Sequence, residues 1–512
     1  MKVFVGEYKL NVEEFKQVVF ENAAVEITEV AWKRVQKSYE FLQDFSASKV
    51  IYGINTGFGP MAQYRIEDDK LKQLQYNLIR SHAAGSGEAL DIIYVRATML
   101  ARLNTLLLGY SGVHTSVVEQ LAIYLNEEIY PVIPEHGGVG ASGDLVQLAH
   151  LALGLIGEGE VIYKNERQAT AQVLKKLNIR PISIFIREGL ALINGTSTMT
   201  GIGLVNFLNS RKLFDWALFA SGMINQIVES YDDHISDALN SVKKHEGQNK
   251  TASKLRSVLE GSLLLKKRED KLFKGINGEK VFSEKVQEYY SLRCVPQILG
   301  PVLETIDHTC DVLIGEINSA NDNPIIDVEN KNVFHGGNFH GDYVSFEMDK
   351  LKLAITKLSM LMERQLNFLM NDKLNEKLPP FVNLGVLGLN LGIQGMQFTA
   401  TSTVAENQTL SNSMYVHSIP NNNDNQDVVS MGTNSALLAA KVIKNSFEVI
   451  SVHLIAIIQA IDYLHFSERL SPKTKDIYKE LRIIVPKFIE DDIRYKDIEK
   501  IKEYIINDPP EI

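Results

Sequence analysis

The segment EHGGVGASGDLVQLAHLALGLIGEGE, from Glu135 to Glu160, joins a glycine-rich loop to an apolar stretch. Apolar residues recur at helical spacing over Asp144–Ile156, which predicts a helix there. The same pattern indicates further helices at Thr200–Leu218, Asp349–Leu369, Ala436–Tyr463 and Thr474–Ile506. Because long apolar-striped helices dominate the chain, we expect a mainly α fold built as a long antiparallel helical bundle.

Strand-like segments are few, and the best candidates are Val161–Tyr163 and Ile182–Ile186. No internal repeat or low-complexity linker divides the chain. We expect a smaller N-terminal region over residues 1–200 that carries the glycine-rich loop. Residues 201–512 are expected to form the central bundle and C-terminal helices, packed as one compact unit.

The composition disfavours several classes of protein. The 512 residues carry a net charge of −10 and no lysine–arginine cluster, which argues against a nucleic-acid partner. Cys294 and Cys310 are too few for a disulfide framework and suit a reducing compartment. Residues 1–20 lack a secretory apolar core, and the apolar stretch Val449–Ile461 is too short to cross a bilayer. We therefore expect a cytoplasmic protein with no membrane partner.

Polar, helix-breaking segments are unusual in this chain and indicate a site. Loops rich in glycine and asparagine commonly carry binding and catalytic groups in an otherwise helical protein. The candidate loops are Tyr52–Gly59, Ser81–Gly87, Glu135–Asp144, Asn194–Thr198, Asn318–Pro324, His335–Asp342 and Pro420–Asp427.

The loop Gly138–Gly143 matches the dinucleotide-binding pattern G-x-G-x-x-G letter for letter. That motif requires a preceding strand, which Pro131 and Pro134 interrupt, and it places a pyrophosphate where Asp144 would repel it. A nucleotide site is therefore disfavoured. The spacing alone also fits a simple turn that leads into a helix, and this interpretation stays open at this point.

The same loop contains the residues needed to make an electrophile, which no unmodified side chain supplies. In a tight turn the Gly143 nitrogen can attack the Ala141 carbonyl carbon, since Gly143 accepts strained backbone angles and Ala141 is small. Loss of two waters would give a methylidene-imidazolone whose exocyclic carbon comes from Ser142. Asp144 would then open the following helix as a favourable first-turn anion.

The glycine-rich loop resembles the signature of the histidine, phenylalanine and tyrosine ammonia-lyases, in which Ala-Ser-Gly cyclises autocatalytically. The match continues through GDLVQLAHLALGLIGEGE, and the resemblance extends over most of the chain. Further segments that look like those of the family are YGINTGFG, REGLALINGTS, VQEYYSLRCVPQILGP, NSANDNPIID and HGGNFHGD. The motif region as a whole looks most similar to bacterial tyrosine ammonia-lyases.

The resemblance implies a role for each matching residue. Tyr52 would be the general base that removes the β-proton, which requires nearby dipoles or charges that favour its phenolate. Arg293 would hold the substrate carboxylate through a bidentate pair. Residues implied to contact the electrophile, the amine or the rest of the substrate are Gly59, Asn194, Gln287, Tyr290, Asn338 and Phe339.

The resemblance also implies the cofactor and the assembly. The electrophile would be 4-methylidene-imidazole-5-one (MIO), formed from Ala141, Ser142 and Gly143, with no external cofactor and no metal. The active form would be a homotetramer whose sites draw on three chains. Two clusters invite a metal interpretation, but His335, His340 and Asp342 fit no common zinc spacing. Asn421–Asp427 lacks the glycine and terminal glutamate of an EF-hand.

Two positions bear on the substrate, and they conflict. The pair Ser81-His82 is usual in histidine lyases, whereas Asn422 and Gln426 resemble tyrosine lyases, because histidine lyases place a glutamate where Gln426 stands. We interpret His82 as the partner of a phenol hydroxyl and expect deamination of L-tyrosine to trans-4-coumarate and ammonia. The alternatives are a histidine lyase producing urocanate, a phenylalanine lyase, a tyrosine 2,3-aminomutase, and a catalytically silent helical assembly protein.

Overall fold

The structure is a computed structural model that describes residues 1–273, 280–282 and 284–510. Helices account for 59% of the described residues, so the predicted mainly α class is confirmed. The described residues contain twenty α-helices. Their bounds are α1 Val12–Val19, α2 Glu29–Ser46, α3 Leu71–His82, α4 Ile92–Leu107, α5 Thr115–Asn126, α6 Leu145–Leu155, α7 Thr170–Leu177, α8 Glu188–Ile193, α9 Ser197–Ile227, α10 Asp237–Asn240, α11 Glu246–Leu259, α12 Arg268–Lys271, α13 Tyr290–Arg293, α14 Val295–Ile317, α15 Asp342–Met370, α16 Asp372–Asn375, α17 Gln394–Leu410, α18 Gly432–Leu464, α19 Pro472–Ile484 and α20 Tyr495–Asn507.

The strands are short and form four small sheets in the described residues. Strand β1 pairs in parallel with β2, while β3 with β5, β4 with β6, β6 with β7, and β8 with β9 are antiparallel. Their bounds are β1 Lys2–Val5, β2 Ala24–Ile27, β3 Ser86–Ala89, β4 Tyr130–Pro131, β5 Pro134–His136, β6 Glu160–Tyr163, β7 Glu166–Ala169, β8 Ile325–Asp327 and β9 Asn332–Phe334. Pro131 lies in β4 and Pro134 in β5, so these prolines do not prevent strands from forming before the glycine-rich loop, although both strands are short.

Two sequence predictions about secondary structure are wrong. The stretch Thr474–Ile506 is two helices, α19 and α20, because Pro486 follows Val485 and holds it in an extended conformation. Residues 182–186 form no strand. The Glu188 carboxylate accepts the backbone N–H groups of Phe185 and Ile186 at 2.8 and 2.9 Å. These N–H groups therefore bind a side chain and not the carbonyl groups of a neighbouring strand.

Helix α18 corrects the argument about membrane crossing. It has 33 residues, and an 18-residue window reaches a mean hydropathy of 1.6, so its length and composition would allow a span. Yet 78% of that window is buried inside the protein, and its residues Ile450, Leu454 and Ile458 are completely inaccessible. Such burial is typical of a core helix. The case against a membrane span therefore rests on the burial of α18 and not on the length of its apolar stretch.

The chain separates into two compact units. The first unit comprises residues 1–206, 309–349 and 413–437, and the second comprises residues 207–308, 350–412 and 438–512. These units do not follow the predicted division at residue 200, because two later segments pack in the first unit. All seven polar loops singled out in the sequence belong to the first unit, whose core includes helix α4, buried from Val95 to Leu107.

Candidate active site

The first unit encloses a cavity of about 600 Å³, a size typical of small-molecule sites. Its lining includes eight residues predicted from the sequence: Tyr52, Gly59, His82, Ser142, Asn194, Phe339, Asn422 and Gln426. The ionisable side chains in the lining are Tyr52 and His82. Among the described residues no carboxylate lines this cavity.

The glycine-rich loop is held in a tight turn against a second loop. Gly143 has a φ of +71°, and its backbone pairs with Gly195. A Cβ atom at position 143 would lie 2.0 Å from the Gly195 carbonyl oxygen, so only glycine fits this approach. The next residue, Asp144, donates its N–H to the same oxygen at 2.8 Å. Packing of the two loops therefore fixes the backbone that follows Ser142.

Asp144 stabilises a different helix from the one expected. It precedes α6, but its carboxylate does not cap that helix. One oxygen accepts the N–H groups of Thr198 and Met199 at 2.8 and 3.0 Å, at the start of α9, and the other accepts the Thr433 hydroxyl. Burial raises the pKa of Asp144 to about 6, and these hydrogen bonds oppose the rise.

Asn194 points its side-chain amide at the glycine-rich loop. Its Nδ2 donates to the Ser142 carbonyl oxygen at 3.2 Å, while its Oδ1 accepts the N–H of Asn323 at 2.7 Å. The acceptor role of Oδ1 fixes which end of the amide faces Ser142. The Asn194 backbone carbonyl accepts a hydrogen bond from Arg102 at 3.1 Å. Two contacts thus orient the side-chain amide, and a third holds the Asn194 backbone.

A buried charge cluster lies behind Asn194. Arg102 and Arg187 are 3.9 and 3.6 Å from the Asp322 carboxylate, and all three side chains are inaccessible to solvent. Burial lowers the pKa of Arg102 to about 10, although Asp322 opposes this, so the guanidinium remains charged near neutral pH. Arg187 donates to the Asn323 carbonyl at 3.0 Å. The two guanidinium groups therefore hold the backbone on both sides of the Asn194 amide.

Tyr52 sits in a folded loop whose own backbone contacts its hydroxyl. The Gly59 N–H donates to Tyr52 Oη at 3.1 Å, and the Phe58 ring packs edge-on to the tyrosine ring. A donor aimed at Oη stabilises negative charge there. The Tyr52 N–H donates to His335 Nε2 at 3.4 Å. Burial, with a smaller effect of Arg187, lowers the pKa of His335, which keeps this nitrogen an acceptor near neutral pH.

His82 is the last residue of α3, and its tautomer follows from its partner. Nδ1 lies 2.9 Å from the Leu78 carbonyl oxygen, which can only accept, so Nδ1 carries the proton. Nε2 is consequently an acceptor in the neutral ring. A cavity lined by this imidazole offers a hydrogen-bond acceptor to a ligand hydroxyl or N–H.

The polar loop Asn421–Asp427 brings Gln426 onto the glycine-rich loop. Gln426 Nε2 donates to the Ser142 hydroxyl at 3.0 Å. Asn422 lies against Gly59, where an added Cβ would be 2.8 Å from its Nδ2. Asn422, Asn423 and Asp424 all have positive φ, a run that asparagine and aspartate tolerate better than other side chains. This strained turn holds two predicted substrate contacts at the cavity.

Four predicted residues lie elsewhere. Asn338 is exposed and donates to the Ala320 carbonyl at 3.2 Å. Gln287, Tyr290 and Arg293 belong to the second unit, where they line a separate depression of about 380 Å³. Arg293 donates to the Gln287 amide oxygen and lies 4.7 Å from the Tyr290 ring centre. Arg293, Tyr290 and Gln287 therefore lie together, but outside the cavity that contains Ser142.

Several lining residues were not predicted from the sequence. Leu78 and Leu74 lie four and eight positions before His82 on α3, so helical spacing back from His82 would have found them. Four further lining residues lie in loops that the sequence had already singled out, namely Phe58, Ser81, Asn323 and Asn425. Met61, Asn77 and Leu190 carry no distinctive spacing.

The histidines considered as metal ligands have other partners. His335 accepts from Tyr52, and His340 Nε2 lies 3.2 Å from the Val428 carbonyl oxygen. His340 Nδ1 is 3.3 Å from the Asp342 carboxylate. Within the described ranges no three histidine, cysteine or acidic side chains gather as metal ligands would.

Similarity to known proteins spans this entire sequence. A family model described as "Aromatic amino acid lyase" matches residues 10–483. The chain is 40% identical to a histidine ammonia-lyase from Macrococcus caseolyticus, with 99% of each chain covered. It is 39% identical to a tyrosine 2,3-aminomutase from Chondromyces crocatus, covering 98% of this chain and 95% of that one. The solved tyrosine aminomutase from Streptomyces globisporus matches with a TM-score of 0.94 at 38% identity, covering 99% and 97% of the two chains.

Fold, cavity and similarity together define a carbon–nitrogen lyase. The chain belongs to the aromatic amino acid lyase family, so the predicted family is confirmed. Members act on small-molecule amino acids, and the family uses an MIO electrophile with no external cofactor. The names of the relatives include more than one amino acid, so they leave the substrate of this chain open.

Proposed function

We propose that this protein deaminates L-tyrosine to trans-4-coumarate and ammonia. The observation that carries the proposal is the cavity lining, which contains the His82 ring, with its Nδ1 bound to the Leu78 carbonyl, and the uncharged Gln426 amide, and includes no carboxylate among the described residues. A phenol hydroxyl needs only neutral partners, whereas a protonated imidazole is best held by an acid. A separate assay on tyrosine, histidine and phenylalanine, following the conjugated acid by ultraviolet absorbance, tests it.

Residues around Ala141–Gly143 fit the electrophile that the family uses. Ala141 is 4% exposed, Gly143 has the required positive φ, and the Ser142 hydroxyl and carbonyl meet the Gln426 and Asn194 amides. When formed, MIO would supply an electrophilic carbon for the substrate. Asn194 Nδ2 would stabilise negative charge on the Ser142 carbonyl oxygen, since it is a donor already oriented toward that oxygen.

Tyr52 is proposed to remove the β-proton of the substrate. Tyr52 lines the cavity with Ser142, and its hydroxyl oxygen accepts the Gly59 N–H, which holds the hydroxyl in place for that step. The proton would then reside on Tyr52 Oη. Phe339 lines the same cavity and would exclude water from the reacting groups. Asn338 would support the segment that carries Phe339, because its side-chain amide donates to the Ala320 backbone carbonyl.

Arg293, with Tyr290 and Gln287, is proposed to hold the substrate carboxylate. A guanidinium suits bidentate binding of a carboxylate, and Tyr290 is 69% exposed in the single chain. We propose that active sites are shared between chains of a homotetramer. Large exposed apolar side chains support assembly, among them Val386, Leu389 and Phe398 in the second unit and Tyr343 and Val416 in the first. We also propose that the enzyme works in the cytoplasm.

Shared sites predict complementation between inactive subunits. Co-expressed Ser142→Ala and Arg293→Ala chains should regain activity, because some sites in a mixed tetramer combine an intact Ser142 with an intact Arg293. Rates are measured on tagged, purified mixed oligomers, with each variant alone as the control. Mixed oligomers as inactive as the separate variants would contradict the sharing of sites.

Histidine is the second candidate substrate, and two observations favour it. The Ser81-His82 pair is usual in histidine lyases, and the relatives named above include a histidine ammonia-lyase at 40% identity. An aminomutase is the third candidate, since tyrosine aminomutases are nearly as similar. Product analysis separates this last case, because an aminomutase returns a β-amino acid where a lyase releases the conjugated acid.

Substitution at His82 should change ring preference. If its Nε2 accepts the tyrosine hydroxyl, phenylalanine leaves that acceptor unpaired, at a cost of about 1–3 kcal/mol. The wild type should therefore prefer tyrosine by about 10- to 100-fold, and His82→Phe should erase or invert the preference. The ratio of kcat/KM values on tyrosine and phenylalanine measures this. An unchanged ratio would exclude His82 as the hydroxyl partner.

Gln426→Glu separates tyrosine from histidine. A carboxylate at this position is expected to lower tyrosine turnover by about tenfold, because it would place a negative charge next to Ser142 and near the phenol ring. Histidine turnover should rise, because the imidazole gains an acidic partner. The matched control is Gln408→Glu, a substitution of the same kind in helix α17 of the second unit. Tyrosine turnover as high as that of the wild type would contradict the assignment.

A further inference from the structure

The segment from Ser413 to Ser435, here called the substrate loop, carries Asn422 and Gln426 but contains no helix before Gly432. The side chains of Val416, Ile419 and Val428 are exposed, whereas Val429 is buried and the Tyr415 ring packs against Phe346. Apolar contacts therefore anchor the loop near its ends, and not at the polar stretch that carries Asn422 and Gln426. Hydrogen bonds near the same two ends complete the anchoring.

A buried carboxylate on helix α15 contacts both ends of the substrate loop. One oxygen of Asp349 accepts the Ser413 hydroxyl at 2.7 Å and the N–H groups of Met414 and Tyr415 at 2.8 and 2.9 Å. The other accepts the Ser435 hydroxyl at 2.9 Å. Asp349 is 4% exposed, so these bonds form away from water. These four donors converge on one carboxylate and make a strong clamp.

The clamp continues to the glycine-rich loop. One helical turn before Asp349, the Ser345 hydroxyl donates to the Ser430 carbonyl at 2.6 Å. The Ser430 hydroxyl in turn donates to the Gly140 carbonyl at 3.1 Å, and the Met431 N–H donates to the Val139 carbonyl at 2.9 Å. The same stretch of α15 therefore fixes the substrate loop and its alignment with residues 139–142.

We propose that Asp349 is a positioning residue of the active site, which aligns Asn422 and Gln426 with Ser142 by clamping the substrate loop at both ends. Asp349 does not line the cavity and acts through the loop. The proposal rests on the proposed function only in naming the substrate ring that the loop recognises. Its central content is mechanical coupling between Asp349 and Gln426.

The test begins with Asp349→Asn, which keeps the shape and removes the charge and one acceptor. We expect tyrosine kcat/KM to fall about tenfold, mainly through KM, and the tyrosine-to-phenylalanine ratio to fall with it. Near-ultraviolet difference absorbance of the electrophile should stay at the wild-type level. Asp497→Asn, which alters another buried acid in helix α20, is the matched control and should leave the ratio unchanged.

A double-mutant cycle with Gln426→Ala distinguishes positioning from general destabilisation. If Asp349 acts through the substrate loop, Asp349→Asn should change the ratio by less than about twofold once Gln426 is gone. Should Asp349→Asn fold poorly, Ser413→Ala and Ser435→Ala each remove one donor of the clamp and should lower the ratio about threefold. Additive effects in the cycle, or activity lost only in proportion to electrophile content, would overturn the proposal.

The two proposals fail in different ways. A wild type that prefers histidine would remove the tyrosine assignment, and the cycle would then be run with histidine against phenylalanine. Coupling between Asp349 and Gln426 in that assay would still support the clamp. Independence of the two residues would overturn it whichever substrate is used.

Discussion

Ser142→Ala is expected to have no measurable ammonia-lyase activity while keeping the wild-type fold. The variant has no hydroxyl to lose, so it has no source for the exocyclic carbon of MIO. The turn itself should survive, because it is set by Gly143 against Gly195 and by the Asp144 contacts with α9. Absence of the electrophile removes the acceptor on which ammonia elimination depends in this family.

Three measurements on Ser142→Ala check this expectation. The mass of the peptide containing residues 141–143 should be lower by two waters in the wild type and unmodified in the variant. Near-ultraviolet difference absorbance should vanish, and the thermal unfolding midpoint should match that of Ser116→Ala, a serine of helix α5 outside the cavity. Full activity in Ser142→Ala would exclude the electrophile, and an unmodified wild-type peptide would favour a silent assembly protein.

Tyr52→Phe should reduce turnover by about 10²- to 10⁴-fold, the usual value of a general base. The phenyl ring keeps its packing against Phe58, so KM should change little. The loss falls on kcat because the variant cannot accept the β-proton, and because the Gly59 N–H loses its partner. Electrophile absorbance should remain, since Ala141–Gly143 is untouched.

The control for Tyr52→Phe is Tyr64→Phe, which removes a hydroxyl from an exposed tyrosine outside the cavity lining. Its kinetics should equal those of the wild type. If the turnover of Tyr52→Phe falls by less than about tenfold, another group must take the proton. His82 would then be the next residue to examine, as the other ionisable side chain of the lining.

Much of the site was predictable because short loops in a helical chain are conspicuous. Tyr52, Ser142, Asn194 and Gln426 come from four distant loops and meet in one cavity. Each was found from its local pattern and its resemblance to the family. Their meeting depends on residues 309–349 and 413–437 packing in the first unit, which no local pattern indicates.

Other features depend on partners that are distant in sequence. Asp144 looked like a cap for α6, yet its carboxylate binds the start of α9, more than fifty positions further on. The spacing of His335 disfavoured a metal site but named no other partner, and in the structure His335 accepts the Tyr52 N–H. The sequence could not name either partner because a polar side chain near a helix, or in a histidine pair, has several possible partners, and packing selects among them.

Substrate choice is the least predictable property, for a physical reason. The family shares the electrophile and the helical fold, so neither feature distinguishes one substrate from another. Under the proposed function the ring of the substrate would be recognised by a few side chains, His82, Asn422 and Gln426, which line the cavity. Relatives at about 40% identity can therefore share the chemistry and differ in the amino acid they bind.

A competition assay tests the central claim most directly. The wild-type protein is incubated with equal concentrations of tyrosine, histidine and phenylalanine, and the initial products are separated and quantified, because their ratio equals the ratio of kcat/KM values. We predict that trans-4-coumarate accumulates at least about ten times faster than cinnamate or urocanate, with ammonia released in equal amount. Urocanate forming faster than trans-4-coumarate, or a β-amino acid as the main product, would contradict the proposed function.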